Sequence, residues 1–267
     1  MNSQPTSDLP SITPEIPLVD AECAKHGHYR AKQIPSFMGS PPITMKCPDC
    51  TAEARAVQER ERIEAEARTK ANKVQLLFSR AGIPARFANR TLENYQAETA
   101  AQKRALKIAD RFVDSFGDGL VAGASLVLAG KPGTGKTHIA CGIGRALMER
   151  TRSVLFMTVL QALRHIKDTY RRDSEKTETQ ALKDMLRPDL LILDEIGAQL
   201  GSEHEKMLMF EIINERYQHC RSTILISNLT GEELTTFLGD RVMDRFRESG
   251  AVVAFDWASH RGKRDAA

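Results

Sequence analysis

The stretch that most constrains this chain is Gly130-Lys131-Pro132-Gly133-Thr134-Gly135-Lys136-Thr137, which satisfies G-x-x-x-x-G-K-[ST] at every fixed position. A short apolar run, Ser125 to Ala129, precedes it with strand character. Residues 138–148 follow with apolar side chains at helical spacing. Strand, glycine loop and helix in that order separate a phosphate-binding loop from a chance match. Glycines let successive backbone N–H groups turn inward, forming an anion-binding concavity capped by the helix N-terminus. Gly130, Pro132, Gly133, Thr134 and Gly135 form this loop. Lys136 is placed to reach the β- and γ-phosphates, and the Thr137 hydroxyl to ligate Mg²⁺. The expectation is a nucleoside triphosphate site.

A second motif agrees with the first. Leu190-Leu191-Ile192-Leu193 ends in Asp194-Glu195, the pattern of a central parallel strand whose carboxyl end presents acids where doubly wound folds bind ligands. Asp194 is expected to organise Mg²⁺ and its waters. Glu195 is expected to orient or deprotonate the attacking water, which argues for hydrolysis. Val154 to Thr158, Ser222 to Ser227 and Ala251 to Phe255 complete a five-stranded parallel sheet in an α/β fold. Helices are expected from about Thr99 to Phe116, Leu160 to Tyr170, Gln180 to Leu186 and Glu203 to Gln218, the last with Met207, Phe210, Ile213 and Tyr217 on one face. Asn228, at the tip of the Ser222 strand, would lie beside the γ-phosphate and bond the attacking water; a turn-forming Asn is its plainer reading. Arg241 and Arg245, four apart on one helical face, can neutralise a γ-phosphate bound by a neighbouring subunit. Surface pairs with Asp240 and Asp244 are the alternative for them.

The front of the chain carries a different signal. Of five cysteines, three cluster here, in Cys23-x₂-His26 and Cys47-x₂-Cys50. Two ligand pairs on separate turns suit tetrahedral Zn²⁺ in a closed, structural shell, with His28 the substitute for His26 if the first turn is wider. The expected organisation is a mobile Pro-rich tail over residues 1–20, a zinc module over 21–52, a charged connector helix over 53–80 and an ATPase domain over 81–267. Arg55/Glu59, Glu64/Arg68 and Glu66/Lys70 support that helix at i,i+4. The 267 residues suffice for one α/β core and a smaller module. No apolar run approaches bilayer length and no leader pattern is present, so the expectation is a cytoplasmic protein with no membrane contact. A net charge of +3 confines any nucleic-acid contact to local patches, the basic tail Arg261-Gly262-Lys263-Arg264 among them.

Together, GKPGTGKTHIA, LLILDEIG, the ISN tip, the RVMDRF box and the approach segment from Ala81 to Phe87 resemble the AAA+ ATPases of the DnaC-type helicase loaders and their IstB-like relatives. The likeness runs from about Leu76 to Arg261. The Cys-x₂-His-Gly and Cys-Pro-x-Cys front end looks like variants carried by phages and prophages, and is reminiscent of loaders whose front domain grips the helicase. The resemblance implies an AAA+ P-loop fold with an absent or minimal lid, ATP hydrolysis, and self-association through an arginine finger. It further implies delivery of a replicative DNA helicase to single-stranded DNA, or alternatively a transposition helper that assembles on DNA and recruits a transposase. By position, Lys136 and Thr137 match the phosphate- and Mg²⁺-binding pair, Asp194 and Glu195 the Walker B acids, and Asn228 sensor 1. Arg245 matches the finger, Arg241 its companion, and Arg261 sensor 2.

Overall fold

The computed structural model describes residues 16–35, 41–117, 123–197 and 203–260. The chain divides into two compact units, one ending at Thr69 and the other beginning at Lys70.

In the first unit, β1 (Leu18–Cys23), β2 (Gly27–Ile34) and β3 (Ile43–Thr44) form an antiparallel sheet in that order, and α1 (Pro48–Arg80) begins there and ends within the second unit. Cys23 pairs with Gly27 across a tight turn, and Gly27 takes the positive φ of 74° that closes it. β1 starts within the stretch expected to be a mobile tail. Leu18 pairs with Lys32 and Val19 with Ala31, so backbone pairing orders the chain there without an apolar core. Residues 1–15 of that tail lie outside the described residues. Proline at the first position of α1 costs no hydrogen bond, because that N–H has no partner within a helix. No residue of α1 is buried. Within the helix, ion pairs run from Arg62 to Glu59 (2.7 Å) and Glu66 (3.9 Å), in place of the three pairs read from sequence.

The second unit continues with α2 (Ala100–Asp114), β4 (Ser125–Gly130), α3 (Lys136–Glu149), β5 (Val154–Thr158), α4 (Val159–Lys167), α5 (Glu178–Leu186), β6 (Leu190–Ile196), α6 (Glu203–Gln218), β7 (Ser222–Ser227), α7 (Gly231–Leu238), α8 (Asp240–Ser249) and β8 (Gly250–Phe255). The five strands pair in parallel in the order β5-β6-β7-β4-β8. Because strand side chains alternate, Leu126, Leu128, Ile192 and Ile224 join Ile139, Ile143 and Leu147 of α3 in one apolar layer. Val127, Leu191, Leu193 and Leu225 join Leu163, Ile212 and Phe246 in the other. Burial on both faces explains why these strands read as unbroken apolar runs. Threonine opens several helices with a reciprocal cap: Thr99 with Gln102, Thr158 with Gln161, Thr177 with Gln180 and Thr230 with Glu233.

α6 departs from its expected orientation. Its core face is Leu208, Met209, Ile212, Ile213 and Arg216, whereas Met207 and Phe210 are exposed. The helix is apolar nearly all round its middle, and the buried face includes an arginine, so a hydrophobic stripe selects the wrong side. The Arg216 side chain is fully buried. It donates to the carbonyls of Met185 (2.7 Å), Pro188 (3.1 Å) and Ser222 (2.6 Å) and to the Thr223 hydroxyl (3.0 Å), tying the end of α5 to the starts of β6 and β7. Burial lowers its pKa to about 9, still charged at neutral pH. Arg216→Met would strand those carbonyls without water, so we expect a loss of about 3 kcal/mol or more in urea unfolding; a change under about 1 kcal/mol would show the network to be dispensable.

Candidate functional site

Sheet order builds the candidate site. β7 lies between β4 and β6, so the glycine loop after β4, the acids at the end of β6 and Asn228 after β7 emerge at adjacent positions on one sheet edge. Asn228 itself is exposed. The loop curls through left-handed glycines: Gly130 at φ 126° and Gly135 at φ 98°. A Cβ at Gly130 would stand 2.5 Å from the Phe255 carbonyl oxygen, and one at Gly135 2.7 Å from the Tyr95 ring.

Distant segments clasp the outside of the loop. The Thr134 carbonyl accepts from the Trp257 indole (2.9 Å) and the Tyr95 hydroxyl (3.3 Å). The His260 N–H donates to the Gly133 carbonyl at 2.9 Å, and the His260 ring meets Gln102 at 3.1 Å. Burial pushes the Tyr95 phenol up to about 12, which keeps it a donor. Sequence reasoning missed Trp257, Gln102 and His260, since no local pattern marks a long-range hydrogen bond. Arg261 lies outside the described residues.

Inside the site, Lys136 donates to the Gly130 and Lys131 carbonyls, each at 2.7 Å. The Thr137 hydroxyl donates to Asp194 Oδ2 at 3.0 Å, joining loop and acidic strand. Burial raises the Asp194 carboxyl above its ordinary range, opposed by the Glu195 N–H and Thr137. A divalent cation beside it would favour the ionised form, so a buried acid paired with a hydroxyl suits Mg²⁺. Glu195 adopts φ 65° where the β6–β7 register shifts between Leu193 and Ile196, which releases its side chain from strand alternation into solvent. Such left-handed non-glycine residues cost on the order of 1 kcal/mol and concentrate at functional sites.

On α8, Arg241 is exposed, and the Arg245 guanidinium bonds Asn214 Oδ1 and lies over the rings of Tyr217 (5.1 Å) and Phe210 (5.8 Å). Asp244 pairs with Arg247 at 2.7 Å, so the alternative of Asp240 and Asp244 pairing with Arg241 and Arg245 does not form among the described residues.

In the first unit, Cys23 and His26 flank the β1–β2 turn while Cys47 and Cys50 sit at the start of α1. Their ligand atoms lie within 4.8 Å of one another. Cys23 Sγ is 3.5 Å from Cys50 Sγ, and His26 Nδ1 is 3.8, 3.7 and 3.3 Å from the sulfurs of Cys23, Cys47 and Cys50. A tetrahedron with metal–sulfur bonds of about 2.3 Å and a metal–nitrogen bond of about 2.0 Å has edges of roughly 3.5–3.8 Å. The backbone N–H groups of Lys25 and His26, then the His26 ring, pull Cys23 down to about 6, and that sulfur pushes Cys50 up to about 11. Three sulfurs and one imidazole nitrogen at these spacings are a donor set that fits Zn²⁺. His28 is exposed on β2, paired with Glu22 outside the cluster. Glu53, which the spacing did not suggest, approaches His26 Nε2 at 3.3 Å and fixes the ring with Nδ1 toward the sulfurs.

Much of this chain is similar to known proteins. The profile of a family described as IstB-like ATP binding protein matches residues 55–266. The replicative helicase loader DnaC of Escherichia coli (strain K12) is 41% identical over 199 residues, covering 74% of this chain and 80% of that protein. The protein of the same name from Buchnera aphidicola subsp. Acyrthosiphon pisum (strain APS) is 36% identical over 208 residues, covering 76% and 83%. A crystal structure of the DnaC helicase loader superposes with a TM-score of 0.58 at 26% identity, over 65% of this chain and 100% of that one.

The loop geometry yields a test. Gly135→Ala forces a methyl group into the Tyr95 ring at a left-handed position, and should weaken triphosphate binding at least about tenfold (roughly 1.4 kcal/mol) in a fluorescent-analogue titration. Gly231→Ala, where a Cβ meets nothing within 4 Å, should leave binding unchanged. Equal affinities for the two variants would contradict this account of the loop.

Proposed function

The chain belongs to the family of IstB-like ATP-binding proteins, and from that membership we propose that it is an ATP-hydrolysing AAA+ protein that engages a replicative DNA helicase and assists its loading on single-stranded DNA. The observation that carries this reading is the 41% identity to a protein named replicative helicase loader, over 80% of that protein's length. In this reading residues 21–52 form the partner-gripping module, 53–80 the connector and 81–267 the motor. A cytoplasmic location accords with it; no described helix is long and apolar enough to cross a membrane.

The chemistry follows from side chains at one sheet edge. Lys136 exchanges its loop carbonyls for phosphate oxygens, and the loop N–H groups share the remaining charge. Thr137 and Asp194 would hold Mg²⁺, which would supply positive charge for the phosphates. Glu195 takes the proton of the attacking water, and the Asn228 amide holds that water in line. Arg245 of one copy, with Arg241 beside it, meets the γ-phosphate held by the next, so turnover requires self-association. In the front module, Cys23, His26, Cys47 and Cys50 would hold Zn²⁺ in a closed shell, which would stand in for an apolar core.

Two measurements bear on these assignments. Co-purification should recover the cognate replicative helicase, more strongly with ATP; a transposase captured in its place would favour the transposition-helper reading. Metal analysis should give about one zinc per chain, and chelation should melt the front sheet while nucleotide affinity persists. Zinc below about half-stoichiometric would count against the metal assignment.

A further inference from the structure

Arg245 is held in a way that an exposed surface arginine does not require. Buried Val242, Met243 and Phe246 fix α8 on the core, and the Arg245 side chain reaches across to α6. There Phe210, Asn214 and Tyr217, spaced at i, i+4 and i+7, share one helical face. The guanidinium lies over both rings and donates to the Asn214 amide oxygen. Tyr217 is locked in turn by donating its hydroxyl to Glu248 Oε2 at 2.7 Å, a residue of α8 itself. Asp244, one position before the arginine, is occupied by Arg247, and no ion pair among the described residues engages Arg245. Rings and an amide orient a cation without neutralising it, whereas a carboxylate would compete with an incoming phosphate.

We propose that Phe210, Asn214 and Tyr217 are positioning residues for the arginine finger. They hold the Arg245 guanidinium in one orientation, so that meeting a second copy's γ-phosphate freezes few additional rotamers. The proposal rests on the reading of Arg245 as a finger acting in trans. It also explains why the α6 face bearing Phe210 is turned away from the core.

The test uses the full-length protein and measures turnover at saturating ATP beside ATP affinity for Tyr217→Leu, Asn214→Ala, Tyr217→Phe and Arg245→Ala. Tyr217→Leu and Asn214→Ala should each lower turnover by roughly 3- to 10-fold, the range a partly exposed cation–π or amide contact supports. ATP affinity should stay unchanged, and Tyr217→Phe, which keeps the ring, should retain most of the turnover. Each variant is then mixed with Lys136→Ala, which has an intact finger but no working site. Mixing should restore turnover to Tyr217→Leu and Asn214→Ala as it does to Arg245→Ala, because the missing element is supplied by the neighbour. Parental turnover in both Tyr217→Leu and Asn214→Ala while Arg245→Ala is inactive would overturn the positioning role alone, as would losses that mixing fails to restore. Parental turnover in Arg245→Ala would overturn the finger reading beneath it.

Discussion

One side-chain hydrogen bond, from the Thr137 hydroxyl to Asp194 at 3.0 Å, joins the two halves of the nucleotide cleft. It exists because β4 and β6 flank β7 in a parallel sheet, with all three carboxyl ends on one edge. A parallel sheet of this kind must be covered on both faces. The helices between the strands therefore supply two apolar layers, and Arg216 closes the opposite end of β6 and β7 with a set of carbonyl acceptors. Core and cleft are consequences of one strand order.

The same constraint explains why the loop can be open to phosphate yet held in place. Lys136 lies inside it on the Gly130 and Lys131 carbonyls, while the Thr134 carbonyl is gripped by Tyr95 and Trp257, from segments before and after the core strands. Left-handed backbone marks the site at the loop glycines and at Glu195 on the bulge beside Asp194, and also occurs away from it at Thr151 and Cys220. In the proposed reading, that exposed acid is the group that takes the water proton.

Much of this was legible in the residues. The glycine loop and the acidic strand carry their chemistry in fixed spacing, and the five sheet strands stood out because double-sided burial leaves uninterrupted apolar runs. Cys23, His26, Cys47 and Cys50 were legible from spacing too, although choosing His26 over His28 needed the turn that brings its Nδ1 to the sulfurs. Other features were hidden for physical reasons. The face of α6 was misread because Met207 and Phe210 mimic a core stripe, while Arg216 occupies a core position that hydrophobicity cannot identify. The start of β1 was misread because strand pairing there needs no buried side chains. Glu53, Asn214 and Trp257 act through contacts across long sequence separations, which periodicity does not encode.

The central claim is that a triphosphate sits between the glycine loop and Asp194, held by Lys136. Calorimetric titration of ATP with Mg²⁺ into the parent protein and into Lys136→Ala tests it most directly. The account predicts one site per chain in the parent and no measurable binding in the variant, with the fold of both intact by circular dichroism. Equal affinity in the two proteins would contradict it.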